Sequence, residues 1–216
     1  MNKIIIPLGE ECYTCGSIDT KFNSNGIRKE AYPFDYVGHV FIEKITDKIK
    51  NDLELKHDHI NIEWFGEEYG YVDKVNEFKY WHDTTHKYIS EFTDSDLNTF
   101  LDKYNRRYNR LKNNIGNPGV LFLSVNHFDN IYNNIYKRQE VIDLAKVLGN
   151  SKLLAINFTN NDENFENIQF VNLPLNKNLE FQESKSEFTK DLNNFINGLN
   201  LNENVTQSEY DPPWFN

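Results

Sequence analysis

Cys12 follows an apolar run, Ile4-Ile5-Ile6-Pro7-Leu8-Gly9, and stands near the start of a segment, residues 11–22, whose pattern predicts a helix. A thiol at a strand-to-helix turn lies at the positive end of the helix dipole, which lowers its pKa and favours the thiolate. The chain has two cysteines in 216 residues, too few for a disulfide framework, so Cys12 is read as a candidate nucleophile. A thiol nucleophile needs a base, usually histidine, and the base needs an orienting group. Among the six histidines, His82 ends a predicted strand in Phe78-Lys79-Tyr80-Trp81-His82, and His127 directly follows Val120-Leu121-Phe122-Leu123-Ser124-Val125. Active sites of α/β proteins collect at such strand ends. Both are therefore candidate bases, and both also suit structural roles. His39, His57, His59 and His86 read as solvated positions. Asp35 sits between Phe34 and Tyr36, a carboxylate in an aromatic setting that suits orienting a base, capping a helix or holding Arg28. Arg106, Arg107 and Arg110 lie on a long predicted helix. Most such arginines are solvated, but one turned inward would grip a carboxylate or phosphate bidentately.

Cys12-Tyr13-Thr14-Cys15 is formally a C-x-x-C, which allows a redox reading. Its neighbours Glu10, Glu11 and Gly16 are unlike the usual redox loop, and acidic neighbours oppose a very low thiolate pKa. One such pair cannot form a four-thiolate zinc site. His57-Asp58-His59 supplies the nearest further ligands, and no metal is expected. Cys15, one turn further along, reads as an inert buried thiol.

The elements that must position these groups alternate between strand and helix. Residues 4–8 read as a short buried strand. Tyr32-Pro33-Phe34-Asp35-Tyr36 reads as a tight aromatic loop, Pro33 biasing Tyr32 away from the helical region. Phe41, Ile45 and Ile49 recur at helical spacing, predicting an amphipathic helix over 39–53. Residues 59–83 are rich in aromatic and β-branched side chains. Leu97, Leu101, Tyr104, Tyr108 and Leu111 form one stripe of a helix over 94–115, which Thr93 and Asp96 open as a capping box with Asp in place of Glu. Continuous apolar strands are predicted at 120–125, 153–158 and 168–173, a helix at 130–148 closed by Gly149, and a last helix marked by Phe188, Leu192, Phe195, Ile196 and Leu199. This rhythm favours a mostly parallel central sheet with helices on both faces. A papain-like α+β arrangement is the alternative.

Composition narrows the function classes. The length suits one domain, and 38% hydrophobic with 26% charged residues is a globular balance. A net charge of −10 argues against a general nucleic-acid or anionic-membrane binder. No run approaches the roughly 18 apolar residues of a transmembrane helix, and the N-terminus shows no secretory pattern. A cytoplasmic protein is expected. The end, Asp211-Pro212-Pro213-Trp214-Phe215-Asn216, reads as a docked tail or as the boundary before a further domain, so residues 1–216 are expected to form one α/β domain at the front of a longer chain.

Leu8-Gly9-Glu10-Glu11-Cys12, Arg28, Ala31-Tyr32-Pro33-Phe34-Asp35-Tyr36, His82-Asp83, Tyr104-Asn105-Arg106-Arg107 and Val120-Leu121-Phe122 follow one another in that order. In this the chain resembles an uncharacterised family of bacterial and large-virus proteins described as papain-like cysteine peptidases. Their pattern is roughly L-G-x-x-C, Y-P-F-D-W, H-D, R-R and an apolar strand. The resemblance covers about residues 4–125, with Asp211 and Trp214 as further matches. Tyr36 stands where the family usually has Trp, and the papain signature around the cysteine is missing. The chain also looks like the N-terminal domain of giant-virus sugar-modifying enzymes, in which such a domain precedes a glycosyltransferase and is linked to N-acetylation of an amino sugar.

These resemblances imply acyl transfer from acetyl-coenzyme A to the amine of a nucleotide-linked deoxy amino sugar, in a host cytoplasm if the protein is viral. Cys12 is the expected acyl nucleophile, His82 the general base and Asp35 its orienter. Arg28 and Arg107 are candidates for phosphate contact, and Tyr32 and His127 for further substrate contact. A glycosyltransferase domain following in the same chain is the implied partner. Two other readings stand beside this one: a cysteine peptidase or other thiol hydrolase, and a non-catalytic carbohydrate-associated binding module.

Overall fold

The computed structural model describes residues 4–9, 32–35, 37–38, 40–80, 83 and 86–199. Its centre is a five-stranded sheet of β1 (Ile4–Pro7), β5 (Val120–Val125), β6 (Lys152–Ile156), β8 (Ile168–Val171) and β7 (Glu163–Phe165), in that spatial order. The first four are parallel, with Ile5 opposite Leu121, Leu123 opposite Leu154 and Ile156 opposite Val171, while β7 pairs antiparallel with β8.

Side-chain alternation divides the core between the two faces of this sheet. Ile6, Phe122, Leu153, Ala155 and Phe170 pack on one side, against α1 (Ile42–Asn51), α2 (Asp94–Asn114) and α4 (Arg138–Leu148). Ile5, Leu123, Val125, Leu154 and Ile156 pack on the other, against α3 (Phe128–Tyr132) and α5 (Phe181–Gly198). Burial on both faces is why these strands read as continuous apolar runs. The fold is thus α/β, with helices on both faces of a mostly parallel sheet.

The aromatic-rich stretch resolves into a second, antiparallel sheet of β2 (Ile60–Trp64), β3 (Tyr69–Asp73) and β4 (Phe78–Tyr80). Its inner face lies on α2 through aromatic contacts. The Tyr71 and Phe100 rings are 4.3 Å apart, and those of Tyr80 and Tyr104 4.5 Å. Strand β4 is described as far as Tyr80, and the expected strand end at His82 lies outside the described residues.

Helix α2 opens as the sequence predicts. Asp96 N donates to Thr93 Oγ1 at 3.2 Å and Thr93 N donates to Asp96 Oδ2 at 2.9 Å, so the shorter carboxylate completes the capping box. The single helix expected over 130–148 is instead two. After α3 the chain turns through Asn134 at φ +55°, with Ile135 N bonded to Asn130 O at 2.7 Å and Asn134 N to Ile131 O at 3.2 Å. This is a Schellman ending built on asparagine, one of the few side chains that tolerates the left-handed region. The hairpin strand β7 and the first turns of α5 also lie beyond the sequence expectation.

Candidate functional site

Strands β1 and β5 end side by side. Leu8 N donates to Leu123 O at 2.8 Å, and Ser124 Oγ donates to Leu8 O at 3.3 Å. Gly9 then carries the chain off the sheet at φ +55°, and a Cβ there would stand 2.5 Å from Val40 Cγ1. Only glycine meets both conditions. Gly9→Ala should therefore cost about 3 kcal/mol, from the left-handed backbone and the overlap together, and lower the melting temperature by about 10 °C. A calorimetric scan within a degree or two of wild type would contradict this packing.

Cys12 follows three positions after Gly9 in the chain and lies outside the described residues, as do Arg28 and His82. The residues leaving β5 are Asn126 and His127. Asn126 is fully buried, and its Nδ2 donates to the Ile135 carbonyl at 2.9 Å and the Asn157 carbonyl at 3.0 Å. His127 caps α3, its Nδ1 accepting from Asp129 N at 3.3 Å. That bond uses the Nδ1 lone pair, so the neutral ring carries its proton on Nε2 and presents a donor there. This suits His127 to contacting a substrate oxygen better than to acting as a base through Nε2. The helix following β5, α3, lies on one face of the sheet, while α1, the next described helix after β1, lies on the other. Strands β1 and β5 run parallel, so Gly9 and His127 both follow at the carboxyl end of the sheet, the end at which open α/β proteins bind ligands.

A second group lies on α2. In the Tyr32–Asp35 turn, Asp35 N donates to Tyr32 O at 3.1 Å and Tyr32 N donates to Asp35 Oδ2 at 2.9 Å. Both side chains are buried, and Phe34 between them sets its ring 5.9 Å from that of Tyr108. Arg107, next to Tyr108, is the inward arginine at 1% exposure, whereas Arg106 is exposed and Arg110 half-buried. The Arg107 guanidinium lies 4.9 Å from the centre of the Tyr104 ring. Tyr104 Oη in turn donates to Asp83 Oδ2 at 2.5 Å, and Lys103 Nζ donates to Asp83 Oδ1 at 2.6 Å. Burial, and then the negative charge of Asp83, hold the Tyr104 phenol well above its ordinary pKa, so it stays protonated and donating.

The residue after His82 is thus fastened to α2 at two points, one helical turn from Arg107. Of the sequence candidates, Tyr32 and Asp35 share one turn, Phe34 packs that turn against the helix bearing Arg107, and His127 stands at the β1–β5 edge. Sequence reasoning passed over Tyr104 and Lys103 as partners of Asp83. Tyr104 read only as one residue of the apolar stripe, although it opens the Tyr104-Asn105-Arg106-Arg107 block.

The chain matches no family model, no curated protein and no solved structure. Among the described residues, no group of three or more His, Cys, Asp and Glu is placed to hold a metal ion, and no helix is long and apolar enough to cross a membrane.

Proposed function

We propose that this protein is a thiol-dependent acyltransferase that N-acetylates a nucleotide-linked amino sugar from acetyl-coenzyme A. The observation that carries the reading is the β1–β5 edge. Gly9 leads the chain off β1 three residues before Cys12, beside the point where β5 delivers His127. The identity of donor and acceptor rests on the likeness of the chain to the N-terminal domain of giant-virus sugar-modifying enzymes linked with amino-sugar acetylation.

In this reading the Cys12 thiolate attacks the thioester carbon, and coenzyme A leaves as its thiol after receiving a proton from the base. The sugar amine then attacks the acetyl-cysteine, gives its proton to the base and expels the Cys12 thiolate. His82 serves as base and Asp35 as its orienter. Asp83, held by Tyr104 and Lys103, anchors the segment that carries His82. Arg107 supplies a buried positive charge behind Tyr104, which leaves direct phosphate contact to Arg28, while His127 donates to substrate.

The test is mass spectrometry of protein and products with acetyl-coenzyme A and a panel of nucleotide-linked amino sugars, for wild type and Cys12→Ala. Acetylated sugar from wild type, falling at least ~10³-fold in Cys12→Ala, is the expected result. An undiminished rate in Cys12→Ala would remove the nucleophile. Coenzyme A release without acetylated sugar would turn the reading toward a hydrolase, and sugar binding without turnover toward a binding module.

A further inference from the structure

The connection between α3 and α4 crosses the end of the sheet. Helix α3 packs in the core on one face and α4 in the core on the other, so residues 133–137 pass over the edge where β5 and β6 end. This strap is fastened from beneath. The buried Asn126 side chain holds the Ile135 carbonyl at 2.9 Å, and Asn130 Nδ2 donates to Asn126 Oδ1 at 3.0 Å. Asn134 fixes the turn at φ +55°. A strap so held has a fixed backbone, and beside the polar Asn133 and Asn134 it exposes two large side chains, Ile135 at 48% and Tyr136 at 41%.

Cations gather beside this apolar pair, although the chain as a whole carries −10. Lys177, on the loop leaving β8, reaches across to the strap and donates to Asn134 Oδ1 at 2.6 Å. That partner is a neutral amide rather than a carboxylate. Lys137 ends the strap, lying 4.9 Å from the Phe41 ring centre and 3.3 Å from a Glu43 carboxylate oxygen. Glu43 balances Lys137, and Lys177 makes no ion pair among the described residues.

An exposed aromatic on a held backbone, with a solvated ammonium bonded to the same strap at the carboxyl end of parallel strands, has the chemistry of a base-and-phosphate subsite. We propose that the 133–137 strap binds a nucleoside diphosphate, with the base stacked on Tyr136 against Ile135 and the phosphates drawn to Lys177. This deepens the transferase reading, in which both coenzyme A and the nucleotide-linked sugar carry such a group, and it rests on that reading for its biological meaning alone. Binding at the strap needs neither Cys12 nor turnover.

The experiment is calorimetric titration of the whole protein with coenzyme A in one arm and uridine diphosphate in the other, using wild type, Tyr136→Ala, Tyr136→Phe, Lys177→Gln and Cys12→Ala. All five should bind the same ligand. Tyr136→Ala should weaken it about tenfold or more, as loss of a stacking platform does. Tyr136→Phe and Cys12→Ala should stay close to wild type, and Lys177→Gln should weaken binding and flatten its salt dependence. The responding arm identifies whether the strap serves donor or acceptor. Absence of binding in both arms at millimolar ligand would overturn the proposal, as would binding that Tyr136→Ala leaves unchanged. Acetyl transfer that proceeds while Tyr136→Ala has no effect would sink the strap and spare the transferase. Strap-dependent binding without acetyl transfer would do the reverse.

Discussion

Above pH 10 this protein should unfold, steeply and cooperatively. Tyr80, Tyr104 and Tyr108 are fully buried where the small sheet meets α2, and burial pushes each phenol well above its ordinary value of 10. Tyr71 beside them is pushed up to about 12, again chiefly by burial. In the unfolded chain these phenols ionise near pH 10, whereas in the folded chain they do not. The folded-state pKa values are the raised ones, so the native state binds more protons than the unfolded state once pH passes 10. Stability is then complete below pH 10 and falls as pH rises toward the folded-state values. Each fully buried phenol loses about 1.4 kcal/mol per pH unit in that range, so the three together remove about 4 kcal/mol by pH 11. That is a large part of the roughly 5–15 kcal/mol that holds a domain together. Lys48 acts in the opposite sense, its pKa being lowered chiefly by burial, but it is one group against three. Circular dichroism and phenolate absorbance, followed together through an alkaline titration, should change in one coincident step. Phenolate appearing near pH 10 with the fold intact would show that these tyrosines are not sealed in the core.

Asp73→Ala should be among the most damaging single substitutions in the described structure. Asp73 is fully buried and accepts from Val75 N at 3.0 Å, Asn76 N at 3.2 Å and Asn76 Nδ2 at 2.7 Å, closing the β3–β4 turn. Its Oδ2 also lies 3.7 Å from Nζ of Lys48, a lysine only 3% exposed. Lys48 donates to the Glu54 carbonyl at 2.6 Å and rests its ammonium 5.2 Å from the Tyr108 ring centre. The pair joins α1, the small sheet and α2 at one point. Removing the carboxylate strands a buried ammonium and three donors at once, with an expected cost of about 3–5 kcal/mol. Lys48→Met should cost less, because it removes the buried charge and leaves Asp73 its three donors. Urea unfolding of both variants tests the order. Asp73→Ala within about 1 kcal/mol of wild type, or Lys48→Met the worse of the two, would contradict it. In Asp73→Ala the burial of Lys48 would be opposed by Asp52 alone, so its folded-state pKa should fall further below its unfolded value. Stability of that variant should then rise with pH from the folded-state value until the tyrosines begin to oppose it near pH 10.

Local patterning made several elements legible. The apolar stripe from Leu97 to Leu111 and the Thr93–Asp96 box gave α2 to within one residue, because amphipathic period and capping are both local. Helix α1 fell inside its expected 39–53 span, with Phe41 at its N-cap. The helix expected at 130–148 was misplaced because Asn133 and Asn134 interrupt the pattern only weakly. What ends α3 is a left-handed asparagine and a carbonyl bond from Asn126, contacts that no helical period reports. Of the small sheet, a strand from Phe78 was expected and the rest was seen only as aromatic richness, since its register, with Ile62 opposite Tyr71, is set by pairing between segments and by the face that α2 covers.

The candidate site divides in the same way. The sequence by itself determined the chemistry on offer: a cysteine just after a short buried strand, histidines near strand ends, a carboxylate in an aromatic turn and an arginine-bearing helix. It also determined the α/β class, because strands buried on both faces must be apolar throughout. The tertiary structure decided which of these groups work together. It turned Arg107 inward, placed Asp83 against Tyr104 and Lys103 some twenty residues away, and gave His127 a capping bond that sets its proton on Nε2. It also carried the 133–137 strap over the sheet edge. Burial periodicity repeats every few residues and can be read along the chain. Pairing between distant groups depends on which surfaces the packed sheet and helices bring into contact, and that is settled only when the whole core closes.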